Sequence, residues 1–157
     1  MTAMSVTGCK SPKILSEPEP GPTPTSTPDI SFEFVTKWGS SGGGNGQFAG
    51  GLLGISIDNS TGRVYVADPQ NDRVQVFESD GTFVTKIGMQ GVNDGEFDEP
   101  RAVLAVSHTA KIYVADKNNF RIQVFDTAGT FLGKWGTYGN GDGEFTNTTG
   151  ICEDSAT

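Results

Sequence analysis

The chain repeats itself. Val64 to Gly88, reading VYVADPQNDRVQVFESDGTFVTKIG, returns 48 positions later as Ile112 to Gly136, IYVADKNNFRIQVFDTAGTFLGKWG, with more than half of the aligned residues identical. A self-similar unit of this length cannot bury its apolar surface alone, so copies must stack and form the core between them. Inside the unit, Val64 to Ala67 and Arg73 to Phe77 are β-branched and aromatic runs that read as strands. They are separated by the turn-formers Asp68-Pro69-Gln70-Asn71-Asp72. Asp80-Gly81 suits a tight hairpin, after which Phe83 to Ile87 supplies a third strand. With the turn centred there, Val74 faces Ile87 and Val76 faces Thr85, while Gln75, Phe77, Val84 and Lys86 take the other side. Neither side is purely polar, which implies a sheet covered on both faces.

Gly54 to Asp58 and Val103 to Ser107 precede the two copies and add a strand to each, making four per unit. Gly46-Gln47-Phe48, Gly95-Glu96-Phe97 and Gly143-Glu144-Phe145 punctuate the joins. Four-stranded sheets repeated radially are propeller blades. The Tyr-Val-Ala-Asp, Asn-x-Arg-(Val/Ile)-Gln-Val-Phe and Gly-(Gln/Glu)-Phe elements at this spacing resemble the NHL-repeat β-propellers, from Phe32 to Asp154. The resemblance implies an all-β fold: a partial, open NHL-type β-propeller of four-stranded antiparallel blades, preceded by a disordered N-terminal tether. Residues 32–39 read as an orphan outer strand, about 48–96 and 97–144 as two blades, and 145–157 as the start of the next. Phe145 to Asp154 would be that blade's first strand, with Cys152 packed on it where Ser56 stands in the first copy. Propellers of this family have about six blades, so less than half a ring is present, and missing blades or self-association would be needed to close it.

Ahead of the repeats, Val6-Thr7-Gly8-Cys9 resembles the lipobox of bacterial lipoproteins, with Cys9 as the lipidation site, although the apolar stretch before it is shorter than a secretory signal requires. Residues 1–9 are read as a remnant of such a signal. Residues 10–31, rich in Pro, Ser, Thr and Glu, form a linker that cannot make a core. Together they suggest a domain held on a bacterial cell envelope, with the membrane engaged only through Cys9. The alternatives are a stray cysteine in an ordinary tail and a cytoplasmic protein.

Asp68, Asn71 and Arg73, and their counterparts Asp116, Asn119 and Arg121, form a polar set that recurs in both units. A catalytic site is normally built once, so these residues are assigned to hold loops. His108 is the only histidine and is read as a solvated turn residue. The Gly- and carboxylate-rich segments at 91–99 and 139–144 lack the ligand alternation of a calcium loop and read as connectors between blades. No catalytic residue, metal site or cofactor is assigned. The formal net charge of −8 opposes nucleic-acid binding. In propellers the connectors and the loops between second and third strands open on one face, which here carries Pro69, Gln70, Asp72, Met89, Gln90, Lys117, Asn118, Phe120 and Tyr138. The resulting expectation is a non-catalytic binding module for a protein or peptide. Other readings are a fragment of a propeller lyase or lactonase, for which the histidine ligands are missing, and an intracellular RNA-binding or ubiquitin-ligase recognition module.

Overall fold

The computed structural model describes residues 33–154. Cys9 with its lipobox-like surroundings, the linker 10–31 and Phe32 lie outside the described residues. The fold is all-β. A short parallel pair, β1 (Ser40–Ser41) and β2 (Gln47–Phe48), leads into two four-stranded sheets. The first comprises β3 (Ile55–Ile57), β4 (Val64–Asp68), β5 (Arg73–Phe77) and β6 (Phe83–Ile87). The second comprises β7 (Pro100–Val106), β8 (Lys111–Asp116), β9 (Arg121–Asp126) and β10 (Phe131–Trp135). In each the strands pair antiparallel with their chain neighbours, so each sheet is a meander. The two sheets do not close on each other. They are successive blades of an open, partial propeller.

Register follows the hairpin chemistry. Val74 pairs with Ile87 and Val76 with Thr85, as the Asp80-Gly81 turn predicts. One residue nearer the turn the ladder slips, and Phe77 faces Phe83 instead of Val84. The same bulge sets Phe125 against Phe131 in the second blade. A bulge re-aims side chains. Here it places an aromatic pair at the base of each hairpin, with ring centroids 5.9 Å apart for Phe77–Phe83 and 6.0 Å for Phe125–Phe131.

The main core lies between the blades. Tyr65, Ala67, Val74, Val76 and Ile87 of the first blade meet Val103, Ala105, Ile112, Val114 and Phe125 of the second, and Phe97 seals the join. All are buried, and the Val, Ile and Phe side chains among them contribute about 1.5–3 kcal/mol each on burial. The other face of the first blade, with Val64, Val66 and Phe77, is covered by Phe48, Trp38 and Leu52. Trp38 lies 4.4 Å from Phe77, centroid to centroid.

Two expectations are corrected. Residues 33–39 make no strand ladder, because no neighbouring strand lies beside them among the described residues, yet Trp38 still holds the core position that Ile87 holds at the next join. Residues 146–154 likewise form no first strand, having no described second strand to pair with, and Cys152 is exposed instead of packed.

Candidate functional site

The recurrent polar set is a buried clamp on the connector that precedes each blade. In the first blade, Arg73 Nε donates to Asp68 Oδ2 at 3.0 Å, and its terminal nitrogen donates to the carbonyls of Gly44 and Gln47 at 2.7 and 2.9 Å. Asn71 bridges Asp68 and the carbonyl of Gly42. In the second blade Arg121 donates to Asp116 at 2.7 Å and to the carbonyls of Val92, Asn93 and Glu96, while Asn119 bridges Asp116 and the carbonyl of Gly91. Asp68, Arg73, Asp116 and Arg121 are all buried. A buried ion pair is tolerable only when its remaining donors and acceptors are satisfied, and here the connector's carbonyls satisfy the guanidinium. These six residues therefore hold loops, and the loop they hold lies about 30 residues upstream of their own turn.

Gln75 and Gln123 join each clamp without having been singled out by the sequence pattern. Both are fully buried, and each accepts from a connector glycine N–H while donating to a connector carbonyl: Gly46 and Gln47 in the first blade, Gly95 and Glu96 in the second. Their recurrence at one place in an otherwise apolar strand was the available signal.

The clamps bring the connectors and the β4–β5 and β8–β9 loops to one end of the blades, where the candidate face lies. Three of its residues are occupied with structure. Asp72 accepts from the Glu99 N–H at 2.8 Å, Lys117 donates to Glu99 at 2.6 Å, and Asn118 donates to Asp98 at 2.8 Å. Glu99 also accepts from Arg101. The bonds from Lys117 and Arg101 outweigh its partial desolvation and hold its carboxyl below the usual carboxylate range. Its φ of 58° is left-handed, a conformation that costs a non-glycine residue. Because the first copy has Gly50 in this region, no repeat pattern announced Glu99.

Gln70, Met89, Gln90 and Tyr138 are exposed, and Phe120 is half-buried. Phe120 and Tyr138 meet edge to face, with centroids 4.8 Å apart and Tyr138 71% exposed. Phe120 also has a left-handed backbone, φ 53°. Asp72 occupies the corresponding turn position with φ 50°, so the geometry belongs to the turn while the aromatic residue belongs to this copy.

At the opposite end of the first strand, Asp58 is 2% exposed. Burial pushes its carboxyl up, but hydrogen bonds from Ser60, Thr61 and Ser107 together outweigh it and lower it to about 2. His108 sits in the 3₁₀ turn Ser107–Thr109, exposed as expected, with Nδ1 3.1 Å from Glu153. Among the described residues no group of three or more His, Cys, Asp or Glu is placed to hold a metal ion.

Residues 101–156 match the DUF5128 family, described as a 6-bladed beta-propeller, over about a third of the chain. Many solved structures are similar, among them the following three. A candidate exported protein from Bacteroides fragilis matches at 22% identity and TM-score 0.48, covering 55% of this chain and 24% of that one. The hydrazine synthase of Kuenenia stuttgartiensis matches at 17% and 0.43, covering 53% and 23%. A functionally unknown protein from Desulfotomaculum acetoxidans matches at 14% and 0.43, covering 56% and 27%. The chain thus spans about a quarter of the length of these three proteins. No curated protein matches it. The blade geometry and the family match agree on a β-propeller, the latter for the second blade and the residues C-terminal to it.

Proposed function

We propose that this chain is an NHL-type propeller segment serving as a non-catalytic binding module, with its ligand, a protein or peptide, taken on the end where the connectors and β4–β5 and β8–β9 loops gather. One observation carries the reading. The polar residues that recur between blades are consumed in buried clamps, whereas the aromatic pair Phe120–Tyr138 stands at the exposed end and is not required by the repeat. Aromatic residues with one open face dominate protein recognition surfaces. The acidic balance of the chain favours a neutral or cationic ligand over nucleic acid. Selection of a random dodecapeptide library on the full chain tests this, with the Phe120→Ala/Tyr138→Ala chain as counter-target. Peptides that bind the wild type and lose at least about tenfold in affinity on the double variant support it. Peptides that bind both equally, or none at all, refute it.

The envelope location belongs to the same proposal and rests on Cys9 beside the Pro/Thr-rich stretch. Fatty-acid analogue labelling in a bacterium, with a secretory signal segment supplied ahead of Val6, should occur and be abolished by Cys9→Ser. Absence of labelling would remove the anchor and leave the binding module.

A further inference from the structure

Among the described residues, three connectors are built to one plan. Gly42 N donates to the Phe48 carbonyl at 3.0 Å, Gly91 N to that of Phe97 at 2.9 Å and Gly139 N to that of Phe145 at 3.2 Å. Within each loop a side chain turns back and accepts from the backbone N–H three residues earlier. Gln47 accepts from Gly44 at 3.0 Å, Glu96 from Asn93 at 3.0 Å and Glu144 from Gly141 at 2.8 Å. The residue ahead of that N–H differs: Gly43 in the first connector, Val92 in the second, Asn140 in the third. Of the three, the third alone therefore joins at one peptide bond a side-chain amide, a glycine N–H that no Cβ screens, and a carboxylate upon that N–H.

These are the parts of an intramolecular displacement. The backbone N of Gly141 can close a five-membered ring on Cγ of Asn140, but it is a weak nucleophile until its proton is drawn off. A general base must lie within hydrogen-bond reach of the proton it takes, and Glu144 Oε2 does. Asn140, Gly141 and Glu144 are all exposed, so water reaches them. The exposure of Asn140 comes from the shape of the connector: Val92, at the same position of the second, is 69% exposed although Arg121 bonds its carbonyl.

The other Asn–Gly step of the sequence, Asn45–Gly46, supplies the contrast. Asn45 is exposed too, but Gly46 N donates to the amide oxygen of the buried Gln75 at 2.9 Å. A neutral amide oxygen takes no proton from that nitrogen, and the clamp holds the peptide in place.

We propose that Asn140 is a site of self-catalysed modification, with Glu144 as its general base. Gly141 N gives its proton to Glu144 Oε2 and forms a bond to Cγ of Asn140. The Cγ–Nδ2 bond then breaks, and Nδ2 takes that proton and leaves as ammonia. One water opens the succinimide, at Cγ to give aspartate or at the backbone carbonyl to give an isoaspartyl link. No oxidant, metal or second protein takes part. The product carries one more negative charge, two residues from Tyr138, and this holds whatever the face binds.

Peptide mass mapping of the full chain, incubated at neutral pH, tests the proposal. Asn140 should be converted at least about tenfold faster than Asn45, to both aspartyl and isoaspartyl products. Glu144→Gln keeps an acceptor for Gly141 N while removing the base, and should slow the conversion at least about tenfold. The pH profile separates base from scaffold. Between about pH 6 and 8 the wild-type rate should rise by much less than tenfold per pH unit, because a carboxylate base does not depend on hydroxide, whereas the Glu144→Gln rate should follow hydroxide at about tenfold per unit. Equal conversion of Asn140 and Asn45, or an Asn140 that stays intact, overturns the proposal. So does a Glu144→Gln chain with the wild-type pH slope, even a slower one, since Glu144 would then only hold the loop.

Discussion

Gln123 is the residue through which the clamp is most cleanly examined. It is uncharged, fully buried, and its three hydrogen bonds run to Gly95 N at 2.9 Å, the Glu96 carbonyl at 2.6 Å and Asp116 at 3.1 Å. Gln123→Leu keeps the approximate volume and removes all three. Glu96 and Asp116 retain Arg121 as a donor, so each loses about 1 kcal/mol, whereas Gly95 N is left without its acceptor and costs about 2 kcal/mol. Burial of the leucine returns about 1.5 kcal/mol, leaving a net loss of roughly 2–3 kcal/mol. Urea unfolding followed by circular dichroism measures the total. Amide exchange locates it: Gly95 should lose protection while Gly46, held by Gln75, keeps it. A variant within about 0.5 kcal/mol of wild type would refute the clamp as a source of stability. One that is destabilised with Gly95 still protected would show that the loss is core damage and not release of the connector.

Phe125→Ala, which empties the core between the blades, should cost about 3–5 kcal/mol in the same unfolding assay. Phe120→Gly should stay within about 1 kcal/mol of wild type, because relief of the left-handed backbone offsets the lost contact with Tyr138. Asp58 is held at about 2 against an ordinary 3.8, so its contribution of about 2 kcal/mol is fully present above pH 4 and disappears as the pH falls through 2. Asp58→Asn should therefore be the less stable protein at pH 6 and show a shallower loss of stability between pH 4 and 2, measured by urea midpoints across that range.

The strands were legible because apolar and β-branched runs recur around fixed turn-formers, and the hairpin register followed from Asp80-Gly81. The role of Asp68, Asn71 and Arg73 as loop holders was legible too, from their recurrence. Their target was not, since a periodic sequence does not say which backbone about 30 residues away a guanidinium will reach. Gln75 and Gln123 carry a signal of the same kind, polar residues repeated inside apolar strands, without showing what those amides bond. Glu99 with Lys117 and Arg101 left no such trace, being present in one copy only. Residues 33–39 and 146–154 have strand-like sequences without strand ladders, because pairing is a property of a neighbour and not of the segment.

Comparison of the two copies divides the chain into residues that make the blade and residues that distinguish it. The clamp positions are identical: Asp68 and Asp116, Asn71 and Asn119, Arg73 and Arg121, Gln75 and Gln123. At the exposed end the corresponding residues differ: Gln70 against Asn118, Asp72 against Phe120, Gln90 against Tyr138. Pro69, which the sequence placed on this face, is buried. A ligand spanning both blades on the proposed face would thus meet two unlike surfaces on one repeated frame and be held in a single orientation. It follows that the face can be rewritten while the frame persists. Asp72→Phe/Gln90→Tyr, which gives the first blade the aromatic pair of the second, removes only the bond from Glu99 N to Asp72 among the hydrogen bonds of the clamps and the face. The loss should be about 1–2 kcal/mol by urea unfolding, with Gly46 and Gly95 amides still protected. A loss matching that of Gln123→Leu, or exposure of either amide, would mean that face and frame are coupled, and that the differing residues are as structural as the clamp.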